Sequence, residues 1–165
     1  MQLEKIDGLN VRRRAYVRTV ETGIESIRGL EPSGIHEGAE PGGFYGFACH
    51  YDQKGMSGLA KQQFVDALQQ EGLAAAGGTY PLLHTLPIFA EGFDIFIRGR
   101  GSLCTRQMGG DDQGYQAGDF PVSEKACADL VLLPVLSDPI EGAAEQIIAA
   151  IGKVAEHAEG LEPLG

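Results

Sequence analysis

The 165-residue chain lacks the features that mark several large classes of protein. It has no tryptophan and only three cysteines, Cys49, Cys104 and Cys127, which are widely spaced and form no C-x-x-C pair. This usage supports neither a disulfide framework nor a zinc cluster, and reduced thiols are the simplest interpretation. No apolar run approaches the roughly 20 residues that span a bilayer, and the amino terminus has no apolar signal segment. We therefore expect a cytoplasmic protein that does not enter a membrane.

Positive charge is also scarce. The chain has 13 Lys and Arg against 23 Asp and Glu, which gives a net charge of −10. Such an excess of negative charge repels phosphate backbones and anionic lipid, so nucleic acid is a poor candidate partner. Hydrophobic residues make up 43% of the chain, which is typical of globular domains, and the length fits one domain. We expect a single small domain over residues 1–165.

A long amphipathic helix is predicted for residues 1–28. Apolar residues recur there with alternating steps of three and four, which is the spacing of one helix face, and only Asn10 and Arg13 interrupt them. A helix of about seven turns is too long to pack only on a small local core. We expect its apolar stripe to be exposed in part in a monomer. The chain should then form a homo-oligomer through this stripe. The stripe consists of Leu3, Ile6, Val17, Val20, Ile24 and Ile27.

The middle of the chain predicts a strand between two breaks. Residues 29–43 are rich in proline and glycine and predict a loop. Residues 44–51, FYGFACHY, alternate with a period of two and predict a strand. A helix is expected to follow and to end at Gly72, because glycine is the preferred residue just beyond a helix. Residues 73–76 are a candidate short strand.

The second half of the chain predicts an insertion and two helices. Residues 90–118 are glycine-rich and predict a mobile surface insertion, with 93–97 as a candidate strand. Ser123 is expected to cap a short helix that ends before Pro134, and Asp138 to cap the final helix. The order of elements predicts an α/β fold, α+β-like, with a small sheet covered by helices on one face.

Most potential reactive groups form no recognisable site. The segment 99–110, GRGSLCTRQMGG, lacks the lysine followed by Ser or Thr that ends a phosphate-binding loop. Cys104 lies between two arginines, but no catalytic histidine is near it in sequence. The four histidines fall in different predicted elements, with no spacing typical of metal ligands, and are His36, His50, His84 and His157.

The segment Tyr80 to His84 is the best candidate for a binding site. A tyrosine, a proline that fixes the backbone and a histidine begin a loop after a short strand, where scaffolds often display ligand contacts. The alternative is that Tyr80 and His84 only cover the edge of the sheet.

Six segments together resemble one enzyme family, in the order the family has them. The chain is similar to the carboxy-terminal third of the DegT/DnrJ/StrS aminotransferases, which are fold-type-I enzymes dependent on pyridoxal phosphate. The segments are QLEKIDGLNVRRRAY at 2–16, FYGFACHYD at 44–52, FVDALQQEGL at 64–73, YPLLHTLPIF at 80–89, FPVSEKACADLVLLPV at 120–135 and IIAAIGKV at 147–154.

This resemblance implies a chemistry whose central group is missing from the chain. Family members hold pyridoxal phosphate on a lysine of a large domain and transfer an amino group to a keto sugar or cyclitol. The resemblance identifies none of the five lysines as that residue, so it implies no catalytic residue and no cofactor for the isolated chain. It implies substrate-binding roles for Tyr80 and His84, and a variable loop that shapes substrate choice at residues 90–118.

Two functions follow from these observations. The first is one domain of an aminotransferase, which acts with a large domain that can be a separate chain. The second is a stand-alone binding or oligomerisation module derived from that domain. An independent enzyme that uses Cys104 or a histidine has little support.

Overall fold

A computed structural model describes residues 2–78, 80–90 and 115–161. These residues form five α-helices and three strands, with short 3₁₀ turns at Gln2–Lys5, Leu83–Thr85 and Ala158–Gly160. No described helix is both long and apolar enough to cross a membrane. The helices are α1 (Ile6–Glu25), α2 (Lys61–Gln70), α3 (Pro87–Ala90), α4 (Pro121–Asp129) and α5 (Ala143–Glu156), and the strands are β1 (Leu30–Pro32), β2 (Phe47–Tyr51) and β3 (Leu130–Leu133).

The strands form an antiparallel sheet in the order β1-β2-β3. Alternate residues of β2 are buried, as its period of two predicts, so Phe47, Cys49 and Tyr51 face the core. Apolar residues of α1, α2 and α5 complete that core, including Phe64 and Ile151. The predicted α/β class, with a small sheet covered by helices, is confirmed.

The chain divides into two compact units. One unit contains residues 1–77 and 129–165, which include the sheet, and the other contains residues 78–128. Whether the whole chain behaves as one domain stays a prediction. The candidate strand at 93–97 and most of the 90–118 insertion lie outside the described residues, so nothing in the structure tests them.

Helix α1 confirms the long helix, but the structure corrects the surface assigned to it. Val17, Val20 and Ile24 are fully buried within the single chain, against α5 and the sheet. They are core residues and not a partner surface, because α5 supplies the apolar face that the sequence appeared to lack. Only the start of the stripe stays open, where Leu3 is 78% and Ile6 45% exposed.

Two glycines allow close packing of the turns beside the sheet. Gly29 follows α1 with a left-handed φ of 87° and lies against the turn after β2. A Cβ at Gly29 would lie 2.9 Å from the backbone carbon of Gly55, and a Cβ at Gly55 would lie 2.6 Å from the Cα of Gly29. Side chains at either position would separate these two segments.

Several predicted boundaries differ from the structure. The loop at 29–43 contains β1, which pairs with β2 through Leu30 and Tyr51. Strand β2 starts at Phe47 and not at residue 44. The candidate strand at 73–76 is reduced to one bridge, from Ala76 to Leu132.

The expected helix caps near the carboxy terminus were wrong. The final helix α5 begins at Ala143 after a left-handed Gly142, and Asp138 instead accepts a 2.7 Å hydrogen bond from Arg12. Helix α4 begins at Pro121, so Ser123 lies inside its first turn, and β3 replaces its expected last turn. Gly72 adopts the left-handed conformation expected just beyond α2.

Candidate functional site

The two predicted site residues lie in the unit 78–128, but their side chains have different environments. The side chain of Tyr80 is 72% exposed. Its carbonyl oxygen is held by the Cys127 thiol, with a sulfur-to-oxygen distance of 3.8 Å. His84 lies in a 3₁₀ turn after Pro81 and is only 7% exposed. The structure therefore presents Tyr80 to solvent and encloses His84.

His84 is paired with an acidic residue 40 positions away. Its Nε2 atom lies 2.9 Å from Oε1 of Glu124 on α4. The same oxygen accepts hydrogen bonds from the backbone N–H groups of Gly118, at 2.7 Å, and Phe120, at 3.4 Å. The Gly118 bond, with smaller contributions from Phe120 and His84, lowers the pKa of Glu124 below its ordinary value. Glu124 is therefore ionised near neutral pH.

Aromatic rings lie on one side of this hydrogen bond. The Phe120 ring centroid lies 4.9 Å from the His84 ring and 5.3 Å from the Tyr115 ring, in tilted and edge-to-face arrangements. Both Phe120 and Tyr115 are exposed on their outer sides. The arrangement combines a fixed polar ring with accessible apolar surface, which can bind a hydroxylated ring-shaped ligand.

A backbone contact joins Phe89, just before the predicted insertion 90–118, to Tyr115, near its end. The Tyr115 N–H donates to the carbonyl oxygen of Phe89, with a nitrogen-to-oxygen distance of 3.1 Å. The backbone at Phe89 and the backbone at Tyr115 therefore lie side by side, next to the His84 and Phe120 rings.

Glu124 is the site residue that the sequence analysis missed. Its signal was present, because it follows Pro121 in the first turn of a helix, where acidic residues are favoured. The sequence did not indicate its partner, since His84 and Glu124 meet only through tertiary folding. Glu124, and not Ser123, holds the start of α4, by accepting the Phe120 N–H.

The five lysines of the chain have different environments. Three of them, Lys5, Lys54 and Lys125, are exposed. Lys61 donates from Nζ to the carbonyl oxygens of Gly77, at 2.8 Å, and Leu130, at 3.3 Å. Lys153 pairs with a carboxylate 2.7 Å away. Lys61 is therefore the half-buried lysine of the five, and the other four are exposed.

The described cysteines provide no obvious nucleophile either. Burial raises the pKa of Cys49 to about 12, so this thiol stays protonated and behaves as part of the core. Cys127 is half-buried beside the Tyr80 carbonyl. Cys104 and the segment 99–110 lie outside the described residues.

Solved aminotransferase structures share this fold. TlmJ, an aminotransferase from Streptoalloteichus hindustanus, superposes with a TM-score of 0.67 at 14% identity, over 96% of this chain and 35% of its own. The chain has the fold of part of an aminotransferase. The 3-amino-5-hydroxybenzoic acid synthase aligns with a TM-score of 0.63 at 18% identity, over 96% of this chain and 36% of its own. The sugar aminotransferase CalS13 from Micromonospora echinospora aligns with a TM-score of 0.53 at 16% identity, over 92% and 32% respectively.

The chain thus spans about a third of the length of the structures it matches. Comparison of its sequence with protein-family models and with curated proteins finds no match. The likeness is one of fold, and it covers nearly every residue of this chain.

Proposed function

We propose that the chain is the carboxy-terminal small domain of a pyridoxal-phosphate-dependent aminotransferase of the DegT/DnrJ/StrS type. The observation that carries this proposal is the fold match, which covers 96% of this chain and about a third of the aminotransferase TlmJ. A lysine-bearing large domain, on the same polypeptide or on a separate chain, supplies the cofactor. The widely spaced cysteines favour the reducing cytoplasm.

In this proposal the unit 78–128 contributes one wall of the substrate site. Tyr80 supplies an exposed phenol, and His84 an oriented imidazole beside the Phe120 ring. Residues 90–118 are the variable segment that shapes substrate choice. A keto sugar or cyclitol fits such a wall, because its C–H faces pack on aromatic rings and its hydroxyl groups donate to ring nitrogens.

The cofactor requirement gives the first prediction. We expect the isolated chain, mixed with one equivalent of pyridoxal phosphate and treated with borohydride, to carry no stoichiometric pyridoxyl-lysine, because the family it resembles carries the cofactor lysine in the large domain. We expect a lysine-bearing large domain encoded beside it to take up the cofactor. Amino transfer from glutamine or glutamate to a keto sugar or cyclitol should need both parts.

Peptide mapping by mass spectrometry distinguishes these outcomes. A full equivalent of adduct on Lys61, or on any other single lysine of this chain, would show that the chain is a cofactor-binding domain in its own right. The large domain assayed alone is the control for transfer activity.

A stand-alone binding or oligomerisation module is the second candidate. It is favoured by the completeness of the core, since Val20, Ile24, Phe64 and Ile151 are fully buried within this single chain. A domain that encloses its own core can fold without a large domain.

Both candidates include self-association through the open start of α1. Leu3 and Ile6 continue the core face beyond the point where α5 covers it, and they are 78% and 45% exposed. Clustered apolar side chains of this kind usually mark a partner surface. We propose that a second copy of the chain covers them.

We expect light scattering at micromolar concentration to give a dimer mass for the wild type and a monomer mass for Leu3→Ser/Ile6→Ser. Val122→Ser is the matched control, because Val122 is 83% exposed in the other unit and should leave the dimer intact. A monomeric wild type would exclude this interface.

A further inference from the structure

Three donors converge on one oxygen of Glu124. Its Oε1 lies 2.7 Å from the Gly118 nitrogen, 2.9 Å from Nε2 of His84 and 3.4 Å from the Phe120 nitrogen. Two of these groups are backbone N–H groups, which can only donate. The His84 ring is the one partner whose role depends on where its proton lies.

The chemistry of the carboxylate decides the position of that proton. An ionised carboxylate only accepts hydrogen bonds, so Nε2 of His84 must carry a hydrogen and donate it. The other ring nitrogen, Nδ1, makes no hydrogen bond within the described residues. In the neutral ring Nδ1 is therefore an acceptor with a free lone pair.

The ring plane is fixed as well as the proton. The ring of His84 is enclosed, and its centroid lies 4.9 Å from that of Phe120 at an interplanar angle of 51°. Phe120 is the residue before α4, and its own N–H also binds Glu124. One carboxylate thus binds the backbone at the start of α4, where the neighbouring Phe120 lies, and also the ring nitrogen of His84.

We propose that Glu124 is a positioning residue for His84, which fixes the proton on Nε2 and leaves Nδ1 to accept a hydrogen bond from a ligand hydroxyl group. The link to a substrate rests on the proposed function, whereas the placement of the proton rests on the unit 78–128 alone. Second partners that set the tautomer of a functional histidine are a general device.

A purely structural role for Glu124, as the residue that holds the start of α4, makes a different prediction. In that case any acceptor at position 124 that still binds Gly118 would serve equally well. Glu124→Gln tests this, because its amide oxygen can accept the same backbone bond but lacks the charge. Charge-assisted hydrogen bonds are shorter and roughly twice as strong as neutral ones.

The experiment is nitrogen-15 and proton NMR of the complete chain labelled on histidine. We expect His84 in the wild type to carry its hydrogen on Nε2, with a downfield proton resonance that exchanges slowly with water. In Glu124→Gln this resonance should move upfield and exchange faster. Asp119→Asn is the matched control, because the Asp119 carboxylate binds the Gln116 N–H at 2.7 Å and does not touch His84.

Two results would overturn the proposal. The first is a wild-type His84 that carries its hydrogen on Nδ1, which needs no variant to observe. The second is an Nε2 proton whose shift and exchange are the same in Glu124→Gln as in the wild type, since position 124 would then have only a structural role. The spectra need neither cofactor nor catalysis, so failure of the amino-transfer assay alone would count against the proposed function and not against this inference.

Discussion

Replacement of Ile24 by alanine should lower the free energy of unfolding by about 2–5 kcal/mol. Ile24 is fully buried where the second half of α1 packs on α5 and the sheet. Removing three carbons there loses apolar burial and leaves a cavity that close neighbours cannot fill. Urea unfolding followed by circular dichroism measures the change, which for a domain of marginal stability is a large fraction of the total.

Val11→Ala on the same helix is the control. Its side chain is 56% exposed, so we expect a change within about 0.5 kcal/mol. Equal losses for the two variants would mean that burial in the chain's own core does not distinguish the two positions. A small loss at Ile24 would contradict the packing of α1 on α5.

Gly29→Ala should cost more than Gly34→Ala, although both glycines have a left-handed φ. The values are 87° and 69°, so both variants lose roughly 1–2 kcal/mol from the conformation itself. Only at Gly29 would the new Cβ meet backbone atoms, 2.9 Å away, whereas nothing lies within 4 Å of a Cβ at Gly34. We expect an extra loss of about 1–3 kcal/mol at Gly29, typical of overpacking.

Thermal or urea unfolding of the two alanine variants separates the steric term from the conformational one. If both variants lose the same stability, the close approach of Gly29 to Gly55 is not tight in solution. Both variants are compared with the same wild type. The difference between their two losses of stability then reports what surrounds each glycine.

The sequence predicted the regular parts of the fold because their patterns are local. Alternation in β2 and the three-and-four spacing in α1 both report which side faces the core, and both are confirmed. The pattern of α1 could not show what covers it. Its partner α5 lies more than 100 residues away, so Val20 was assigned to a missing surface instead of the chain's own core.

The remaining errors share a tertiary cause. Strand β1 has only three residues and exists through its pairing with β2, which no local pattern encodes. Asp138 is of a residue type that favours helix caps, but its carboxylate accepts a hydrogen bond from Arg12. Tertiary contacts of this kind override local preference.

The candidate site was predictable in part. Tyr80 and His84 were identified by their place at the start of a loop after a short strand, and family resemblance then implied substrate-binding roles, which stay a prediction. Glu124 could have been identified as a first-turn acid, but its contact with His84 spans 40 residues and appears only in the folded chain.

The hydrogen bond between Phe89 and Tyr115 also bears on how the protein tolerates changes in the length of the segment between them. It joins Phe89 to Tyr115 with a nitrogen-to-oxygen distance of 3.1 Å, so the chain between them forms a closed loop. The entropic cost of closing a loop rises only with the logarithm of its length, by about 0.6 kcal/mol for each doubling. A change in the length of that segment should therefore cost the domain little stability.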